Sequence, residues 1–254
     1  MVKVGVITAS FVFEGSNYAN VPWPELMEAF EKKWTPPRLD NLLGRIAALR
    51  LPYIELTKFH VQHEKWDTAM VRDLIDKQGL IVASYCVSGV KSVEGLEHRY
   101  QYAKAIGAPL LSGSVSSTDT ERLLDKLEEY GDKYDINFAI EPHGKSYSLV
   151  DPAQLREVFD KRSARIGLCP DADWFQGEGF DPVQAVELLK DRVYHTHLRC
   201  TLEPSGERVA SAEPILRILK GSGYKGVYSI EHEPPYDPTA DLAEARDFIL
   251  RTVR

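Results

Sequence analysis

A single α/β domain folded as a (β/α)8 TIM barrel across residues 1–254 is the architecture this sequence predicts. Three observations predict it. Eight short β-branched or aromatic runs alternate with eight stretches of helical periodicity. The repeat is about thirty residues, the length of one strand–helix unit. The chain, at 254 residues, is also the size of one such barrel. An open doubly wound sheet is the weaker alternative, because no Gly-x-Gly-x-x-Gly turn follows the first strand and no P-loop is present.

In chain order the strands fall at 3–9, 53–56, 81–86, 109–112, 137–141, 165–171, 193–198 and 226–231. Several are almost wholly apolar, as strands covered on both faces must be. The helices fall at 38–49, 68–77, 93–105, 119–134, 152–160, 182–190, 212–220 and 239–252, each with apolar residues three and four apart. Asp151-Pro152 and Asp181-Pro182 each set a capping acid before a proline at the first helical position. Gly79, Gly107 and Gly223 stand where helices stop.

Three connections are long. The one from Ala9 to Arg38 carries Phe11, Phe13, Tyr18, Trp23, Phe30 and Trp34, too aromatic a set for disorder. It reads as a lid over the barrel mouth, as a surface for a second copy or a partner subunit, or as a loop packed on itself. Residues 174–180, with two glycines, read as a mobile loop after the sixth strand, and 199–211 as another after the seventh.

Composition excludes several classes of function. The net charge is −7 and no Lys/Arg cluster exceeds a pair, which argues against a nucleic-acid partner. No apolar stretch approaches a membrane span, and the run at residues 1–7 reads as a first strand rather than a signal peptide. Cys86, Cys169 and Cys200 form no CxxC pair and lie in or beside strands, as reduced thiols of a cytoplasmic protein would.

The last four strands carry the chemistry. They end on Glu141, Asp171, His197 and Glu231, and parallel strands closed into a barrel bring their C-terminal ends to one mouth. Three carboxylates and an imidazole there suit one divalent metal ion: Mn2+ first, then Mg2+, Co2+ or Zn2+. Residues two apart share a strand face, so each position has a rival: His143, Asp173, His195 and Glu233. Pro142 places the fifth strand's end near Glu141, and His195 falls a layer below His197. These arguments rank the pairs and leave them open. Glu55, inside strand two, reads equally as a structural hydrogen-bond acceptor or a substrate contact. Of His60 and His63 in the following loop, His60 is placed at the substrate.

The segments Ile54-Glu-Leu56, Phe138-Ala-Ile-Glu-Pro-His-Gly144, Gly167-Leu-Cys-Pro-Asp171, His195-Thr-His-Leu198 and Gly223-Tyr-Lys-Gly-Val-Tyr-Ser-Ile-Glu231 occur in one order and spacing across most of the chain. The chain thereby resembles the xylose-isomerase-like TIM-barrel superfamily, in its sugar phosphate isomerase/epimerase branch. The resemblance implies one divalent metal held by Glu141, Asp171, His197 and Glu231. It also exposes two departures. Trp174 stands where relatives often carry a substrate-contacting histidine, which suits stacking on a sugar ring or an aromatic aglycone. The basic-acidic pair that usually follows the strand-seven histidine is Arg199-Cys200 here.

The function expected is a metal-dependent isomerase or epimerase of a keto-sugar or related polyol, working through an enediolate, with Glu141 and Glu231 on opposite sides of the reacting carbon. The alternative is a lyase of the same superfamily, a C-glycoside deglycosidase or inosose-type dehydratase acting on a 3-keto sugar or glycoside. There His143 is the base, and Trp174 and Arg199 hold substrate. Lys145 and Arg199 are candidates for a phosphate group. An apurinic-site endonuclease is disfavoured by only seven histidines and the negative charge. A non-catalytic barrel would carry no metal.

Overall fold

The computed structural model describes residues 2–14, 25, 29–30, 32–62, 64–144, 149–202 and 206–254. Tyr18, Trp23, His63 and Lys145 lie outside the described residues.

The chain adopts a TIM-barrel-like fold. Seven parallel strands, β1 (Val4–Ile7), β2 (Tyr53–Thr57), β3 (Ile81–Cys86), β4 (Leu110–Gly113), β5 (Asn137–Ile140), β6 (Ile166–Leu168) and β7 (Tyr228–Ile230), form one sheet in the order β6-β5-β4-β3-β2-β1-β7. The helices that return the chain are α1 (Pro36–Ala48), α2 (Thr68–Lys77), α3 (Leu96–Ile106), α4 (Thr120–Tyr134), α5 (Pro152–Lys161), α6 (Ala172–Gly177), α7 (Pro182–Leu189), α8 (Ala212–Gly221) and α9 (Thr239–Val253). Most strand residues are buried, because helices cover one face and side chains fill the other.

Local chemistry sets the boundaries. Helix α1 opens on Pro36-Pro37, whose rings preset the first turn, and buries Leu39, Leu42, Leu43 and Ile46 along one stripe. Each such buried side chain contributes about 1.5–3 kcal/mol. Asp151 accepts a hydrogen bond from the Ala153 amide at 2.8 Å, and Asp181 one from Val183 at 2.8 Å. Those are the two caps expected from Asp-Pro. Helix α3 starts at Leu96 rather than at 93, because Gly95 sits at φ 71° and cannot join the helix.

Two expectations are corrected. The seventh strand does not form. Residues 193–198 make only isolated parallel bridges, Leu168 to Val193, Asp171 to His197, and Leu198 to Ile230, so eight strands are not present among the described residues. Pro170 has no N–H to give to this neighbour, and the Thr196 hydroxyl takes the Ser229 amide at 3.1 Å, where a backbone carbonyl would continue the ladder. The segment still lies between β6 and β7, with Tyr194 N–H donating to Leu168 O at 2.9 Å and Leu198 N–H to Ser229 O at 2.8 Å. The second correction concerns 174–180. Its first part belongs to helix α6, capped by Asp171, with Phe175 buried beneath. In the aromatic connection, Phe11, Phe30 and Trp34 are buried.

Candidate metal centre

The carboxyl ends of the strands deliver the four predicted residues to one place. Glu141 follows β5 directly, its N–H bonded to Gly113 O of β4 at 3.0 Å. Asp171 lies three residues beyond β6 and accepts from the Asp173 amide at 3.0 Å. His197 comes from the bridging segment, its N–H held by Pro170 O at 3.0 Å. Glu231 follows β7, its N–H on Leu198 O at 3.1 Å. All four are buried, and one ligand atom from each lies within 4.8 Å of the others.

His197 Nδ1 is 2.7 Å from Glu141 Oε1 and 3.3 Å from Glu231 Oε2. Arg199 turns inward over the same group. Its Nη2 is 3.1 Å from Asp171 Oδ2 and 3.3 Å from Glu231 Oε2, its Nε 3.6 Å from Asp173 Oδ2 and its Nη1 3.7 Å from Glu233 Oε2. Arg199, expected at the substrate, is thus spent on carboxylates in this structure. Of the paired rivals, Asp173 and Glu233 stand behind Arg199, and His143 Nδ1 is 3.9 Å from Glu141 Oε1. His195 is not in the cluster.

A second buried group lies below. Glu55 Oε2 accepts from His195 Nε2 at 3.0 Å and from His197 Nε2 at 2.7 Å, and its Oε1 accepts from the Ser112 hydroxyl. Sequence reasoning missed Ser112 and the sharing of one carboxylate by two histidines. The available signal was a charged residue inside an apolar strand, which is rare unless partnered.

Three other expected residues are not among the four clustered donors. His143 and Trp174 stack on each other, ring centroids 4.4 Å apart at 24°, with Trp174 36% exposed. His60 is fully buried, its Nδ1 2.5 Å from the Thr57 hydroxyl and 3.3 Å from that of Thr8, and its ring against Trp34 at 4.0 Å.

The electrostatics follow from burial and opposed charges. Burial would raise the Glu55 carboxyl, but His195 and His197 hold it well below the usual carboxylate range. Burial would lower the His197 imidazole, yet the surrounding anionic groups, Glu141, Glu55 and Glu231 among them, lift it well above the ordinary histidine value. Burial raises Asp171, against the pull of Arg199. Glu233 is pushed up to about 8 by burial and by repulsion from Glu231. Burial also lifts the thiols of Cys86, Cys169 and Cys200, so none is an activated nucleophile.

The donor set fits a divalent ion. Three carboxylates and one imidazole are the oxygen-rich, mixed ligation that Mn2+, Mg2+, Co2+ and Zn2+ accept. Glu231 Oε2 is buried and receives no hydrogen bond among the described residues, an acceptor with lone pairs to spare.

Comparison with solved structures finds the same fold in other proteins. The chain superposes on L-ribulose 3-epimerase with a TM-score of 0.74 at 17% identity, covering 100% of this chain and 95% of that one. D-psicose 3-epimerase, solved in the presence of D-fructose, gives 0.73 at 14%, covering 99% of each. The 3-keto-D-glucoside 4-epimerase of E. coli gives 0.70 at 14%, covering 99% and 100%. These likenesses are of fold. No curated protein matches the chain in sequence. A family model for the xylose isomerase-like TIM barrel matches residues 44–252, and the chain belongs to that family.

Proposed function

We propose that the protein is a divalent-metal-dependent isomerase or epimerase of a keto-sugar or related polyol, with Glu141, Asp171, His197 and Glu231 as the metal ligands. The observation that carries this is the convergence of those four donor atoms within 4.8 Å at the strand ends. A divalent ion held there would supply positive charge beside a substrate carbonyl and its adjacent hydroxyl, lowering the cost of removing the proton between them. The chain's own groups do the rest. Glu141 follows β5 and Glu231 follows β7, with β6 and the bridging segment between them, so one carboxylate can take the proton and the other return it on the opposite face. Asp171, hydrogen-bonded to the Asp173 amide and paired with Arg199, is held as a ligand rather than freed as a base. The fold of sugar 3- and 4-epimerases supports this reading.

The test is exchange of a sugar C–H for deuterium in D2O, followed by NMR over a panel of keto-sugars. Chelation should abolish exchange, and Mn2+ or Mg2+ should restore it. Glu141→Gln should lose about 10²–10⁴-fold, the usual contribution of a positioned base. Full activity in that variant, with no metal bound, would refute the proposal.

One observation favours a second reading. Trp174 stacked on His143 offers a part-exposed aromatic shelf beside Glu141, suited to a glycoside with a flat aglycone. In that case the substrate is a 3-keto glycoside, His143 is the base, and elimination replaces epimerisation. Release of aglycone or water from such a panel, without interconversion of free sugars, distinguishes it.

A further inference from the structure

An imidazole ligates a metal through one nitrogen only, and the buried group beneath the cluster bears on which one His197 uses. Its Nδ1 faces Glu141 and Glu231, at 2.7 and 3.3 Å. Its Nε2 faces the other way, 2.7 Å from Glu55 Oε2. Glu55 is fully buried and bound on both oxygens, with Ser112 on Oε1 and His195 Nε2 on Oε2 at 3.0 Å. A carboxylate can only accept hydrogen bonds, so it keeps a proton on each nitrogen that faces it. Glu141 faces Nδ1 in the same way, so in the absence of metal carboxylates hold both sides of the ring; a cation among the four donors would take the place of the proton on Nδ1, while the one that Glu55 holds on Nε2 stays.

We propose that Glu55 is the positioning residue of the metal centre: it holds His197 as the Nε2–H tautomer and selects Nδ1 as the ligand atom. The same carboxylate engages His195 through its Nε2, which keeps that ring a layer below and out of the cluster. The inference rests on the ligand set proposed above.

The test uses full-length protein with 15N-labelled histidine, loaded with diamagnetic Zn2+. Long-range 1H–15N spectra should show His197 with its proton on Nε2 and its metal-bound nitrogen at Nδ1. Zinc on Nε2 overturns the inference. In Glu55→Gln, Mn2+ affinity measured by calorimetry should weaken about 10- to 100-fold while the circular dichroism of the fold is kept. An affinity within about twofold of the parent's overturns it as well. Should Glu55→Gln not fold, the spectrum of the unaltered protein decides alone. Should the unaltered protein bind neither ion, the ligand reading fails, and the metal-free spectrum decides the role of Glu55. A slowly exchanging His197 Nε2 proton supports that role, and a rapidly exchanging one refutes it.

Discussion

Three buried carboxylates around one imidazole repel one another unless positive charge is brought among them. Here His197 and Arg199 bring it, Arg199 lying 3.1 Å from Asp171 and 3.3 Å from Glu231. Removing one partner of a buried ion pair leaves the other uncompensated, at a cost of about 3–5 kcal/mol. Arg199→Met should therefore lower the melting temperature of metal-free protein sharply, and Mn2+ should restore much of the loss by supplying the missing charge. Calorimetric scans with and without the ion check this; an equal loss in both states would contradict it. His60 gives a pH signature. Burial, reinforced by nearby Lys33, lowers its pKa to about 3. The unfolded chain then takes up the proton near pH 6.5, well before the folded one does. The contribution is complete above about pH 6.5 and declines as pH falls towards 3, by up to about 1.4 kcal/mol per pH unit. Denaturation midpoints should drop across that window, and His60→Gln should flatten the drop.

The bridging segment 193–198 is the element on which the centre depends, because it carries His197 without the support of a full ladder. Tyr194 packs so closely on Gly167 that a Cβ there would lie 2.4 Å from its ring and 2.6 Å from Arg192 O. Gly167→Ala must push the segment off β6. The expected cost is about 1–3 kcal/mol in urea denaturation, with weaker Mn2+ binding, since His197 moves with Tyr194. Unchanged metal affinity would show that the segment is held from the β7 side alone. The alternation of Val193-Tyr-His-Thr-His197 was legible as strand-like, and it does set His197 at the mouth. What the pattern could not show is that Pro170 withholds a donor and Thr196 spends its hydroxyl on the Ser229 amide. Helix α6 was hidden for a related reason. Its cap is Asp171, whose position at a strand end drew the reading towards metal ligation; the structure shows the cap as well as a carboxylate within 4.8 Å of the other three donors.

At the scale of the whole molecule, parallel strands make residues from four separate units into neighbours, with Glu141 after β5 and Glu231 after β7 brought together across β6 and the bridging segment. That much was legible, because a polar residue closing an apolar strand has few places to go except the mouth. The layer beneath was not. Glu55, Ser112 and His195 come from β2, β4 and the bridging segment, and only the register of the folded sheet sets them within hydrogen-bond reach. The direct test of the central claim is anomalous diffraction from a crystal of manganese-loaded protein. One strong peak should stand about 2.0–2.3 Å from a donor atom of each of Glu141, Asp171, His197 and Glu231. No peak among those four side chains, in protein shown to be folded and exposed to excess Mn2+, would contradict it.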